Sequence, residues 1–261
     1  MPKLTIITIN FNHLDGLKRT IDSIVNQTFP DYEWIVVDGG STDGSRQLLE
    51  QYQDRFAWWC SEKDKGVYNA MNKGLQHASG EYVNFMNSGD VFATPTILTE
   101  IFSKPHDVGI LYGIMTRGTL NGEFNNKLLL KSHISWWDFY FSTFNHQATF
   151  TKRVLFLQYG GYDETYKALA DWRHFAELIC VHRVSYEYIP KIIAVYEGHG
   201  ISDNVDIFPN EINRIHQEVY PAMQYSDFVE LQNVEMIKNH KFTRLLYKIL
   251  IRGAKCVIKD K

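Results

Sequence analysis

Trp34-Ile35-Val36-Val37-Asp38-Gly39-Gly40-Ser41-Thr42-Asp43-Gly44 joins a run of large apolar residues to a carboxylate, two glycines and a second carboxylate. Glu33 to Val37 reads as a buried strand, because β-branched side chains suit a pleated surface covered on both faces. Asp38-Gly39-Gly40 closes it, and Asp43 can cap a helix running to about Tyr52. The same alternation extends outward on both sides. Leu4 to Ile9 is another buried strand, and Leu17, Ile21, Ile24 and Val25 have helical spacing within Asp15 to Gln27, before Pro30 stops that segment. Phe56 to Cys60 suits a short strand, Val67 to His77 a helix, and Glu81 to Met86 a strand restarted at Gly80. Strands alternating with helices predict an α/β fold with a mostly parallel central sheet flanked by helices.

In such a sheet, ligands sit beyond the carboxyl ends of the strands. Three polar clusters fall there: Asn10-Phe11-Asn12, Asp38 to Asp43, and Asn87-Ser88-Gly89-Asp90. The second half is less regular. Val108 to Met115 and Glu123 to Leu130 read as a strand pair around Asn121-Gly122. Ser135 to Phe144 is an aromatic segment, Asp171 to Val181 a helix, and Val184 to Tyr196 extended structure broken at Pro190.

The 261 residues suit one large α/β domain with an appendage, and 44% hydrophobic with 22% charged residues is enough to bury a core. Aromatics reach 14%, which suits sugar faces as well as core. A net charge of −3 argues against a nucleic-acid partner. Cys60, Cys180 and Cys256 are far apart, with no CxxC, so neither a zinc ribbon nor a disulfide framework is supported and a reducing cytoplasm is expected. Neither a signal peptide nor an apolar run of membrane-spanning length is read.

The tail has another character. From Lys238 to Lys261 there are eight Lys/Arg and one acid, Asp260, so that stretch carries +7 and leaves −10 for the rest. Basic residues recur every three or four positions from 241 to 259, which makes one stripe on a helix. Such a helix lies on an anionic membrane surface, or docks on the domain with a solvated basic face.

Each candidate residue has a plainer use beside its chemical one. Asp38 can accept hydrogen bonds from a base or ribose, or simply close a strand-to-helix turn. Asp90 can be a hard-cation ligand or a turn aspartate. Asp171 at a helix start reads first as a cap, with general base the other use. His146 and His199 can contact phosphate or metal, or be satisfied polar groups. There is no GxGxxG after the first strand, no GxxxxGK[ST], no GxSxG and no HExxH, so the enzyme classes those motifs mark are disfavoured.

Taken together, the blocks resemble the family 2 glycosyltransferases of GT-A fold. They are Thr5 to Asn12, Ser23 to Phe29, Trp34 to Gly44, Ser61 to Gly74 and Ala78 to Tyr82, dense over about the first 90 residues. The resemblance implies a GT-A domain over 1–205, with a nucleotide-binding half (1–90) and an acceptor-side half (91–205). A C-terminal helical extension with its basic tail would fill 206–261. It also implies that Thr8, Asn10, Phe11 and Asp38 hold the nucleobase and ribose, and that Asp64 and Asn72 border that pocket. Asn87, Ser88, His146 and His199 would contact substrate. Asp90 would hold a divalent ion (Mn²⁺ or Mg²⁺) that bridges the diphosphate, and Asp171 would be the base. Members usually carry an Asp-x-Asp type run after the fourth strand. Here Asn87 and Gly89 stand at two of its acidic positions, and Ala170 stands where many members have an acid.

The implied reaction is inverting transfer of a sugar from a nucleotide-diphosphate sugar, UDP-linked first, to a saccharide or polyprenyl-linked acceptor in surface polysaccharide assembly. It would take place in the cytoplasm, on the inner membrane face. A non-catalytic sugar-nucleotide or glycan-binding protein on the same scaffold is the alternative.

Overall fold

In the computed structural model, the described residues are 1–121, 130–198, 208–220 and 230. Their strands are β1 (Leu4–Asn10), β2 (Tyr32–Asp38), β3 (Trp58–Ser61), β4 (Tyr82–Phe85), β5 (Val91–Phe92), β6 (Ile110–Arg117), β7 (Thr149–Lys152) and β8 (Tyr186–Tyr196). Among the described residues these form one sheet in the order β3-β2-β1-β4-β7-β6-β8-β5. The half β3-β2-β1-β4 is wholly parallel, as the alternating pattern predicts. β7 enters antiparallel to both β4 and β6, and β6 pairs with β8 in parallel.

The helices are α1 (Leu14–Val25), α2 (Ser45–Tyr52), α3 (Val67–His77), α4 (Ile97–Phe102), α5 (Trp136–Phe141), α6 (Arg153–Tyr159), α7 (Ala170–Ala176) and α8 (Phe208–Val219). β1 is buried at all seven positions and β2 at its last five, so neither strand shows a solvent face. Leu17, Ile21 and Ile24 of α1 pack with Leu4, Ile6, Trp34 and Val36 in one core cluster. At about 25 cal/mol per Å² of apolar area, each such side chain stabilises the fold by roughly 1.5–3 kcal/mol.

Three readings of the second half need correction. The extended segment at Pro190 is not broken, because β8 runs through it. The ladder to β6 pairs Tyr112 with Tyr188 and then Ile114 with Ile192 across a register shift, so the missing Pro N–H falls in an irregularity. The helix read over 171–181 is α7 followed by a wider π turn, Glu177–Val181. Leu169 takes the cap position, so Asp171 lies within the first turn and does not cap the helix. The strand read over Glu123 to Leu130, except residue 130, lies outside the described residues, as do His199 and the basic stretch 238–261.

The chain divides into two compact units, Met1–Ile215 and His216–Lys261. In the second, the His216 and Tyr220 rings lie 6.0 Å apart at 67°. Among the described residues no helix is long and apolar enough to cross a membrane.

Candidate active site

The carboxyl ends of β1, β2 and β4 are adjacent in the sheet, and one chain of hydrogen bonds joins them. Asn10 closes β1, and its Nδ2 donates to Asp38 Oδ1 (2.8 Å) while its Oδ1 accepts from Ser88 Oγ (2.7 Å). Asp38 also accepts from the Ser41 amide (2.9 Å), Ser41 Oγ (2.5 Å) and Ser61 Oγ (2.6 Å). Burial presses its pKa upward, but the donors on Ser41, Ser61 and Asn10 outweigh that and hold the carboxyl below its usual range. Asp38 is fully buried and spends these bonds on the protein. Thr8 accepts from the Trp34 indole (3.0 Å) and is buried beneath the cluster.

Above that floor the site opens. Phe11 is 64% exposed, unusual for a ring beside a strand end. A Cβ on Gly39 would come 2.5 Å from Asp64 Oδ2 and 3.1 Å from the Phe11 ring, so these three residues surround one space. Asp64 Oδ1 accepts the Gly66 amide (2.9 Å), which fixes the loop into α3. Asn72 is committed elsewhere. Its amide donates to Tyr162 O (2.7 Å) and Glu164 (3.0 Å) and accepts from the Tyr162 amide (2.8 Å), holding the 162–164 turn against α3.

The turn after β4 is pinned by a residue the sequence did not single out. Thr20 of α1 donates to Asp90 O (2.8 Å), lies within 3.2 Å of Asn87 O and accepts the Gly89 amide (3.0 Å). Asp90 is buried, and its pKa is raised to about 7 by that burial, against the opposing influence of His146 and of donors on Gln147 and the Glu197 backbone. Nearby, His13 Nδ1 faces Ser88 O (3.3 Å) and its Nε2 lies 3.4 Å from Glu197 Oε2, while Arg19 pairs with the other Glu197 oxygen.

Asp171 projects from the first turn of α7. Its Oδ1 accepts from Tyr68 Oη (3.2 Å) and the Trp172 amide (2.9 Å), and its Oδ2 lies 3.0 Å from His146 Nδ1. On its other side His146 Nε2 lies 3.1 Å from Asn87 Nδ2. Asp171, His146, Asn87 and the Asp90 turn are therefore contiguous, although up to 84 residues separate them in sequence (171 against 87).

Among the described residues no group of three or more His, Cys, Asp or Glu forms a ready-made metal cage. The donor set still fits a hard cation that also takes substrate oxygens. Asn87 Oδ1 is a buried oxygen without a hydrogen-bond partner, and the Asp90 carboxyl is buried in the same turn. Asp90 and Asn87 are the residues that would hold it.

The family model described as glycosyl transferase family 2 matches residues 5–170, ending one residue before Asp171. An uncharacterized glycosyltransferase of Mycobacterium tuberculosis, Rv1514c, is 34% identical over 194 residues, covering 69% of this chain and 70% of its own. Among solved structures, Staphylococcus aureus TarS 1–349 in complex with UDP-GlcNAc has a TM-score of 0.69 at 17% identity, over 83% of this chain and 65% of that one. The mannosyltransferase PcManGT of Pyrobaculum calidifontis, in complex with GDP-Man and Mn²⁺, has a TM-score of 0.61 at 17% identity, over 100% of this chain and 88% of that one. The two structures share the fold, and the family match covers well over half of the chain: the protein belongs to glycosyl transferase family 2.

Proposed function

We propose that the protein transfers a sugar, with inversion at the anomeric carbon, from a nucleotide-diphosphate sugar to a hydroxyl of a saccharide or lipid-linked saccharide. The observation that carries this reading is the continuity of the Asp171 carboxylate, through His146 and Asn87, with the turn bearing Asp90. A base on one side and a diphosphate site on the other is what direct displacement requires. UDP is the first candidate nucleotide, since TarS has been solved with UDP-GlcNAc, and GDP the second, since PcManGT has been solved with GDP-Man.

In this mechanism Phe11, Gly39 and Asp64 enclose the base, with Asn10 and Asp38 as the rigid floor. The acceptor hydroxyl approaches Asp171 Oδ2, which has a lone pair left after its bond to His146. As the hydroxyl oxygen bonds to the anomeric carbon, the bond from that carbon to the diphosphate oxygen breaks and the proton passes to Asp171. A divalent ion at Asp90 and Asn87 would supply charge to stabilise the departing diphosphate. The domain limits 1–205 and 206–261 belong to the same proposal, as does placement of the basic tail on an anionic membrane face.

The test is nucleoside diphosphate release from a panel of UDP- and GDP-sugars with Mn²⁺, Mg²⁺ or EDTA. Release from one donor, dependent on metal and reduced about 10²-fold or more in both Asp171→Asn and Asp90→Ala, is expected. Undiminished release from Asp171→Asn would remove the base assignment. Nucleotide binding with no release, even after addition of lipid-linked acceptor extracts, would favour the binding-protein alternative.

A further inference from the structure

We propose that His146 is a positioning residue that ties the orientation of the Asp171 carboxylate to the Asn87 turn on the donor side. This rests on the reading of Asp171 as the base. His146 opens a short 3₁₀ turn, His146–Ala148, ahead of β7. The backbone there is held from below by Asn84, a fully buried residue of β4. Its Nδ2 donates to Gln147 O (3.0 Å) and Thr149 O (2.9 Å) and lies 3.3 Å from His146 O. The ring therefore starts from a fixed anchor.

The two ring nitrogens face different chemistry. Nε2 lies 3.1 Å from Asn87 Nδ2, an amide nitrogen that only donates, so the contact is a hydrogen bond when Nε2 presents its lone pair. The ring proton then sits on Nδ1, 3.0 Å from Asp171 Oδ2, and is donated to the carboxylate. The opposite tautomer would set two N–H groups against each other and turn a lone pair toward Asp171. Asn87 and the Asp171 carboxylate thus favour the same tautomer, with Asn87 holding the ring from the donor side. With Tyr68 Oη and the Trp172 amide on Oδ1, the His146 donor on Oδ2 fixes the plane of the carboxylate. The Asn87 Oδ1 atom is buried without a partner. A group that engages this oxygen when donor binds fixes the amide and, through it, the base.

The test uses the full chain labelled with ¹⁵N-histidine, its ring-nitrogen spectra recorded near pH 8. His146 signals are assigned by their loss in His146→Asn. A neutral ring protonated on Nδ1, with a shift of population toward Nε2 protonation in Asn87→Ala, is expected. Nε2 protonation in the wild type, or no change in Asn87→Ala, would overturn the proposal. In the release assay, with the sugar nucleotide that reacts fastest, His146→Ala should lower kcat about 10²-fold and leave the donor KM within about threefold. His146→Asn, which can still donate near the Nδ1 position, should recover about tenfold of that loss. A raised KM at unchanged kcat would make His146 a donor contact and overturn the role. If Asp171→Asn keeps full release while the tautomer result stands, the base assignment fails and the hydrogen-bond line remains.

Discussion

Gly39 and Gly89 mark where single atoms decide the site. At Gly39 a methyl group would press on Asp64 and Phe11, and at Gly89 (φ +98°) it would meet Glu197 and His13. Both glycines lie in polar clusters legible from the sequence, because strand ends and glycines are local signals. The partners they face come from 64 and 197, which no local pattern joins. His174 shows the same limit more sharply. It stacks on Phe156 (centroids 4.9 Å, 3°), its Nε2 is buried without a partner, and burial pushes its pKa down to about 3. It is neutral in the folded chain, whereas the unfolded chain binds a proton there below the ordinary histidine value of about 6.5. Between those values the unfolded state holds more protons, so stability rises with pH and is lost as pH falls. Urea unfolding at pH 7.5 and pH 5 should show an acid loss of about 1–2 kcal/mol in the wild type that His174→Phe largely removes. An equal loss in both proteins would place the acid sensitivity elsewhere.

At the scale of elements, α7 is too short to be secured by its own sequence, and Leu169 brings no capping side chain. The missing partner comes from α8. Glu211 accepts the amides of Lys167 (2.6 Å), Ala168 (3.1 Å) and Leu169 (2.9 Å), placing a carboxylate at the start of α7. Arg214, three residues on, reaches Thr165 (2.8 Å) and Asp163 (3.2 Å) and covers the Tyr166 ring at 4.1 Å. One face of α8 therefore holds the 163–169 segment that leads to Asp171. Glu211→Ala leaves three amides without their acceptor and should destabilise the chain by about 3 kcal/mol, measured by urea unfolding. It should also slow nucleotide release while nucleotide binding persists, because the base turn moves and the strand-end cluster does not. Glu211→Gln, with one amide oxygen still accepting, should fall between the two. A Glu211→Ala protein of unchanged stability would show that α8 does not hold that turn.

At the scale of the whole molecule, the parallel half was legible because unbroken apolar runs mark the strands, helical spacing marks the helices, and the clusters recur at one sheet edge. Asp171 shows what was not legible: its position suggests a cap, but Leu169 stands there, Glu211, 40 residues later (211 against 171), holds the amides leading into the helix, and His146 and Tyr68 surround Asp171. Charge is a whole-chain property that sequence does give: −10 over residues 1–237 and +7 over 238–261. A body of that sign is repelled by an anionic bilayer, so any attraction must come from the tail, at about 1 kcal/mol per basic residue close to the surface. Sedimentation with vesicles containing anionic lipid should therefore capture the full chain at low salt. Capture should fall as salt shortens the screening length to about 8 Å at physiological ionic strength. Replacing Lys241, Arg244, Lys248 and Arg252 together with Gln should abolish it, without altering nucleotide release from a soluble donor. Capture that survives both high salt and the four substitutions would point to apolar contact in place of charge. No capture at any salt would leave the basic stripe as a solvated face.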